Sequence, residues 1–324
     1  MKAGDTLEYI SETAAEKLLT FEDCIPLMAE TLKALSQKEA TQVLRTALPI
    51  DTTNILGVMP AVIEAQGLAG CKIITIFPGN FKKGLHSHQG VVVLFETSTG
   101  MLKAIVDGTA ITAIRTAAVS AVATDTLARS DAQILTLLGS GVQARRHVEA
   151  IRLVRDITQV KVWDIDIISA GLFKEDIERE YALPVTICAT SSEAVRASDI
   201  ICTVTAAKEP VCFGTDLSPG VHINAVGACR PNHRELDSKA VAIGRLFGDC
   251  IESVLAESGD FLIPLSLEEI NHDHLLGELG AVLTGAVSGR TSENDITIFK
   301  SLGLAIEDLA SADLVYRRYI QSKL

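Results

Sequence analysis

The chain has no CxxC pair, no apolar run of membrane-spanning length and no excess of positive charge. Each absence excludes something. Lys plus Arg number 29 against 41 Asp plus Glu, a formal net charge of -12. Nothing in that overall field draws a nucleic-acid backbone or an anionic membrane, so any anion site must be local. The opening residues, MKAGDTLEYISETAAEKL, hold no apolar stretch of signal-peptide length, and no later stretch is long enough to span a bilayer. The seven cysteines (Cys24, Cys71, Cys188, Cys202, Cys212, Cys229 and Cys250) are an odd number scattered as singles, which suggests neither a zinc knuckle nor a redox pair. The expectation is a soluble, reduced, cytoplasmic protein with no nucleic-acid or membrane partner. Internal repeats, low-complexity tracts and flexible linkers are missing too. At 324 residues and 48% hydrophobic, the chain has room for one large or two ordinary globular domains.

What is present falls into two textures. The first forty residues read as helix, with capping patterns at Ser11 and, better formed, at Thr20 to Asp23. Short β-type runs follow: ILGVMPAVI, CKIITIF, and the hairpin GVVVLFETSTGMLKAIV with its turn at Ser98, Thr99 and Gly100. The stretch TAIRTAAVSAVATDTLA is an Ala-rich helix. After it, strands (QILTLL, VKVWD, PVTICA, DIICTVT, VHINAV) alternate with helices, the signature of βαβ units and a parallel sheet. Near the end DITIFK leads into a long helix whose Ala305, Leu309, Ala312, Tyr316 and Tyr319 repeat at helical spacing. The βαβ block is bracketed by other structure, so the chain crosses twice between domains.

ILTLLGSGVQARRHVEAI places Gly139, Gly141 and Ala144 in a G-x-G-x-x-A pattern between a strand and an amphipathic helix. That context turns a weak motif into a dinucleotide fingerprint. The first glycine makes the tight turn, the second admits the pyrophosphate, and the helix N-terminus faces it. Asp164 stands 164 − 139 = 25 residues further on, at the end of the next strand. A carboxylate there accepts hydrogen bonds from ribose hydroxyls and repels a 2′-phosphate, so NAD(H) is expected over NADP(H). The competing reading is that Asp164 only begins a turn.

Arg45 and Lys72 interrupt apolar runs, where a lone cation is costly unless paired. Arg115 reads as opening the Ala-rich helix, where cation and helix N-terminus together suit a phosphate or carboxylate. Outward-facing positions on half-exposed strands are the bland alternative for the first two. His86 with His88, and His272 with His274, form H-x-H pairs lacking a completing carboxylate or thiol, so no metal site is expected. Arg145, Arg146 and the run Arg152 to Arg155 read as a solvated helix face.

Together the segments GVMPA, FPGNFKKGLHSHQG, DGTAITAIRTAAVSA, LGSGVQARRHVEAI, INAVGACRPNHREL, ESGD, GELGAVLTG and GRTSENDITIFKSLGLAIEDLASA, in order over nearly the whole chain, resemble the ornithine cyclodeaminase/μ-crystallin family. The resemblance implies an α/β protein in which a doubly wound Rossmann domain (residues 117–300) is inserted in an α+β substrate-binding and dimerisation domain (residues 1–116 plus 301–324) of a homodimer. It implies that Arg45, Lys72 and Arg115 bind a substrate carboxylate, with Leu302 and Cys229 beside the substrate and Lys72 and Cys229 as catalytic candidates. Ser87, Arg115, Thr116, Gly139, Gly141, Val142, Gln143, Asp164, Thr205, Val226, Gly227, Ala228, His233 and Ser301 match cofactor-contacting positions. His233 departs from the lysine found there in cyclodeaminases, and Ser87 replaces a threonine.

Cys229, in INAVGACRPNHRELD, separates two reactions. Ornithine cyclodeaminases carry an aspartate at that place, which orients the substrate's δ-ammonium and accepts its proton. A cysteine, whose thiol titrates near about 8.5, is a poor base at neutral pH. The ketimine-reductase members have a serine in a similar GASRP setting. The chain therefore reads as an NADH-dependent reductase of a cyclic ketimine such as Δ1-pyrroline-2-carboxylate or Δ1-piperideine-2-carboxylate. Cys229 either supplies or shares the imine proton, or only fills space. Three alternatives remain: ornithine cyclodeamination, with Glu64 or Asp51 as the displaced carboxylate; an alanine-type amino-acid dehydrogenase; and a binding protein that keeps the dinucleotide site without turnover.

Overall fold

The computed structural model describes residues 7–323; the first six residues and Leu324, which fall in the predicted substrate-binding domain, lie outside the described residues. The chain forms two compact units. One runs through Arg115 and resumes at Gly303, and the other is Thr116–Leu302.

The first unit is built on strands β1 (Glu8–Ile10), β2 (Ala40–Gln42), β3 (Thr46–Pro49), β4 (Ile55–Ile63), β5 (Leu68–Ile76), β6 (His88–Glu96) and β7 (Leu102–Asp107). They form one sheet in the order β1-β7-β6-β5-β4-β2, with β3 also on β4; all pairs are antiparallel except β1 with β7. Helices α1 (Glu12–Leu18) and α2 (Phe21–Ser36) precede most of this sheet. The sequence reading of forty helical residues missed β1 and the break at Leu19 and Thr20. The caps are also reversed from expectation: Ser11 accepts from the Ala14 N–H, whereas Thr20 caps no backbone group and donates instead to Asp23. The β6–β7 hairpin turns where predicted, with Gly100 at φ +71°. Helix α3 (Gly108–Leu127) leads from the first unit into the second.

The second unit has eight parallel strands, β8 (Ile134–Leu138), β9 (Gln159–Trp163), β10 (Val185–Ile187), β11 (Ile200–Thr203), β12 (His222–Ala225), β13 (Arg245–Gly248), β14 (Leu275–Glu278) and β15 (Thr297–Lys300). Their order is β10-β9-β8-β11-β12-β15-β13-β14. Helices α4 (Val142–Ile151), α5 (Ile167–Tyr181), α6 (Ser191–Val195), α7 (Ser238–Ile243), α8 (Ile251–Glu257), α9 (Gly259–Ser266) and α10 (Leu279–Leu283) connect them. Alternate residues of one strand enter opposite cores: Ile200 and Cys202 one, Ile201 the other. That is the burial a doubly covered parallel sheet requires. The first strand, β8, lies between β9 and β11, so the strand order reverses there, the place where α/β sheets open a ligand crevice. Strands β13 and β14 escaped the sequence reading. Helix α11 (Ala305–Gln321) returns the chain to the first unit.

Arg155 corrects one expectation. Its side chain is nearly buried, and it donates to the carbonyls of Thr124, Asp125 and Ala128, at the end of α3, and to that of Arg129. A run of cations read as solvated thus contains the cap of a central helix.

Candidate active site

In β5 the pleat sends Leu68, Gly70, Lys72 and Ile74 to the buried face. Alternation therefore carries an ammonium group inward, and Lys72 is only 2% exposed. Its Nζ sits 2.5 Å from Asp308 Oδ2. Arg115, 4% exposed, donates from Nε to Asp308 Oδ1 at 3.0 Å and from Nη1 to Glu307 Oε2 at 2.8 Å. Both acids are fully buried in the first turn of α11, where Glu307 also accepts the Leu304 N–H at 3.1 Å. Arg45 donates to the Gly303 carbonyl at 3.2 Å. Gly303 has φ +79°, and a Cβ there would overlap the Arg115 guanidinium, so only glycine lets that cation come against the backbone.

Two details differ from the sequence reading. Arg45 lies in the link between β2 and β3 rather than within a strand. Arg115 is two turns inside α3, which starts at Gly108, so it is held by side-chain carboxylates and not by a helix N-terminus. The acids that hold the cations were missed, because IEDL reads as an ordinary polar turn unless the whole helix start is known to be buried. Three cations, Lys72 and Arg115 buried and Arg45 half-buried, thus gather about the start of α11. Burial pushes the Lys72 ammonium down from its ordinary 10.5 to about 8; Asp308 opposes this, and Arg115 and Arg45 add to it. Ser87, in the same unit, hydrogen-bonds His88 Nδ1 at 2.9 Å. Glu64 is exposed in a 3-10 turn, and exposed Asp51 is taken up by the backbone and side chains of Thr53 and Asn54.

In the second unit Gly139 adopts φ +104°, and a Cβ on it would collide with the Val204 carbonyl beyond β11. The predicted tight turn and the end of β11 are thus adjacent. Helix α4 begins at Val142 after Gly141, with no side chain capping its first N–H groups. Open space surrounds the position a Gly141 Cβ would take, and the Gln143 Oε1 is enclosed without a hydrogen-bond partner among the described residues. Free donors, an open approach and an unmatched acceptor suit a pyrophosphate and its neighbouring groups. Asp164 Oδ2 accepts from the Ser140 N–H (2.8 Å) and hydroxyl (2.7 Å), and its Oδ1 accepts the Asp166 N–H. The carboxylate is therefore fixed at the end of β9.

Thr116 and Ser301 are buried, and the Ser301 N–H donates to the Ala225 carbonyl. The Leu302 N–H donates to Asp249. His233 is half-buried; burial and then Arg230 and Lys208 depress its basicity. Val226 and Ala228 are buried and Gly227 exposed in the loop after β12. Cys229 is partly buried against the core that includes Leu302, and its Sγ contacts the Val226 carbonyl at 3.4 Å. Sequence reasoning also missed Glu235, Asp260 and Lys300, which are buried around these loops. Among the described residues no group of three or more His, Cys, Asp or Glu could hold a metal, and no helix is long and apolar enough to cross a membrane.

The sequence profile of the ornithine cyclodeaminase/mu-crystallin family matches residues 7–323. Mouse ketimine reductase mu-crystallin is 40% identical over 283 residues, covering 87% of this chain and 86% of the relative. A Bacillus cereus Delta(1)-pyrroline-2-carboxylate reductase is 36% identical over 314 residues, 96% of each chain. Among solved structures, Thermococcus litoralis Delta(1)-pyrroline-2-carboxylate reductase in complex with NADH and L-proline superposes with a TM-score of 0.96 at 35% identity, covering 98% of this chain and 99% of that one. This chain belongs to the ornithine cyclodeaminase/mu-crystallin family.

Proposed function

We propose that this chain is an NAD(H)-dependent reductase that converts a cyclic ketimine carboxylate, Δ1-pyrroline-2-carboxylate or Δ1-piperideine-2-carboxylate, to the cyclic amino acid. The observation that carries this reading is the convergence of three cations in the first unit, Lys72 and Arg115 buried and Arg45 half-buried, a donor set suited to a carboxylate. Arg115 offers a planar guanidinium, Lys72 a point charge and Arg45 a flanking cation. Glu307 and Asp308 keep like charges together while the site is empty of substrate.

The residues of the second unit fit a dinucleotide: the uncapped start of α4 for the pyrophosphate, Asp164 for the ribose hydroxyls, and Thr205, Val226, Gly227, Ala228 and Ser301 at the strand ends. When bound, the reduced nicotinamide supplies the hydride. The protein supplies orientation and charge, which suffice for a large part of the acceleration. Lys72, protonated at pH 7, withdraws charge through the substrate carboxylate. Cys229, a thiol where a cyclodeaminase needs a carboxylate, shares a proton with the ring nitrogen directly or through water. NADH is favoured over NADPH because Asp164 faces any 2′-phosphate with a negative charge.

A homodimer is part of the same reading. The face of the first unit's sheet opposite Lys72 exposes Leu48, Ile73 and Phe95, a surface suited to a second copy. The seven free thiols suit a reducing cytoplasm.

The test follows NADH at 340 nm with Δ1-pyrroline-2-carboxylate, with ornithine plus NAD⁺ assayed in parallel for ammonia and proline. Rapid NADH loss without ammonia supports the reductase. Ammonia and proline without net NADH change would replace it with cyclodeamination. Cys229→Ala should keep at least a tenth of the reductase activity, as expected of a group that shares its proton with water.

A further inference from the structure

The proposed chemistry leaves the largest buried ion network of the second unit without a role. Glu235 is fully buried, six residues beyond Cys229. Its Oε2 accepts from Thr203 Oγ1 (2.8 Å), the Gly227 N–H (2.7 Å) and the Ala228 N–H (3.2 Å). Its Oε1 accepts from the Thr205 N–H and the Thr205 hydroxyl, both at 2.7 Å. One carboxylate thus gathers five donors from two segments, the end of β11 and the loop after β12. A Cβ on Gly227 would overlap both this carboxylate and the Thr205 carbonyl, so the loop closes on Glu235 only because that residue is glycine.

The anchor is itself anchored. Asp260 Oδ1 accepts the backbone N–H groups of Glu235 and Leu236 at 2.8 and 2.9 Å. Asp260 Oδ2 pairs at 2.9 Å with Lys300, the last residue of β15, immediately before Ser301 and Leu302. Glu235, Asp260 and Lys300 therefore tie together the carboxyl ends of β11, β12 and β15. Those are the ends at which an α/β sheet receives its ligand.

We propose that Glu235 is the positioning residue of the dinucleotide site, fixing the loops after β11 and β12 in the geometry that receives the cofactor. This rests on the NAD(H) reading above. Only an ionised carboxylate accepts from all these donors, since an amide in its place turns an NH₂ toward N–H groups. Burial raises the pKa of Glu235, and the Lys300 ammonium works against that rise. A carboxylate kept here against burial holds specific loops, where an apolar side chain would have served the core equally well.

Glu235→Gln tests this by NADH titration of the intact protein, read by quenching of protein fluorescence, with melting temperature and steady-state kinetics alongside. The expected result is a rise of about tenfold or more in the Kd and KM for NADH, with the KM for the imino acid within about twofold of wild type. A variant that melts lower yet binds NADH like wild type would show that Glu235 only supports the core, and would overturn the proposal. If Glu235→Gln does not fold, Thr203→Val removes one donor at nearly constant shape. A roughly threefold weaker Kd with an unchanged melting temperature then supports the proposal, and an unchanged Kd overturns it. Wild-type protein that fails to bind NADH would overturn the cofactor reading itself, a result seen before any variant is made.

Discussion

Asp308→Asn is the most informative single change, because Asp308 touches two of the three cations that define the proposed carboxylate site. In the wild type Lys72 loses its proton near about 8. If its charge is needed, kcat/KM for the ketimine falls above that pH, to about 3% of its plateau at pH 9.5 for a single group. Asp308 is the neighbour that favours the ammonium most strongly. Removing an opposite charge at this distance lowers a pKa by roughly one to three pH units, which moves the falling limb to between about 5 and 7. At a midpoint near 6, only ~3% of Lys72 is charged at pH 7.5, and kcat/KM drops about 30-fold there, recovering toward acid pH. The assay is NADH oxidation between pH 5 and 10, expressed as the variant-to-wild-type ratio so that titration of the substrate cancels. A ratio that is flat with pH would refute the argument, since Asp308 would then not govern the proton on Lys72. The same ionisation has a stability consequence. The unfolded chain keeps the lysine proton up to 10.5, whereas the folded chain releases it from about 8. The unfolded state therefore binds more protons across that window, and this residue alone makes stability rise with pH by up to roughly 3 kcal/mol.

Two further outcomes follow from other parts of the structure. Asp164→Ala should weaken NADH binding and bring the Kd for NADPH to within about threefold of it, against a wild-type preference for NADH of tenfold or more, as judged by fluorescence titration; tighter wild-type binding of NADPH would refute the assignment. Arg155→Met should lower stability by about 2–4 kcal/mol in urea denaturation, because five main-chain carbonyls lose a charged donor; a change below about 0.5 kcal/mol would mean water replaces it.

The parts legible in the sequence were those with a local signature. The glycine turn before α4 announces itself because strand, G-x-G and helix are consecutive. Lys72 stands out as a cation inside an apolar run, but its direction was not legible, since Ile73 and Ile74 are adjacent in CKIITIF and an outward position on a half-exposed strand fitted as well. The β6–β7 hairpin is equally local. What could not be read depends on partners far along the chain. Asp308 lies 236 residues from Lys72 (308 − 72 = 236), and nothing near IEDL tells that the start of α11 is buried. Arg115 was misplaced because the Ala-rich stretch conceals a helix start nine residues before the first alanine pair (117 − 108 = 9), at Gly108. Arg155 looked solvated because its carbonyl partners at the end of α3 are some thirty residues away. Glu235 looked like one more charge in a polar loop; its role emerges only when Thr203, Thr205, Gly227 and Ala228 are brought around it.

The two buried ion clusters solve different problems with the same materials. Three cations close together in the first unit repel one another, and burial works against the proton on Lys72. Asp308 opposes both effects at Lys72, and Glu307 holds Arg115 beside it. Three cations with no acids beside them would not stay assembled between turnovers. In the cluster around Glu235 the acids spend their lone pairs on backbone N–H groups, threonine hydroxyls and Lys300, so it offers an incoming anion little attraction. The first arrangement suits a ligand that arrives and departs with its own charge. The second suits loops that must hold one shape whether or not the ligand is present, which is why the substrate is assigned to the first and the positioning of the cofactor to the second.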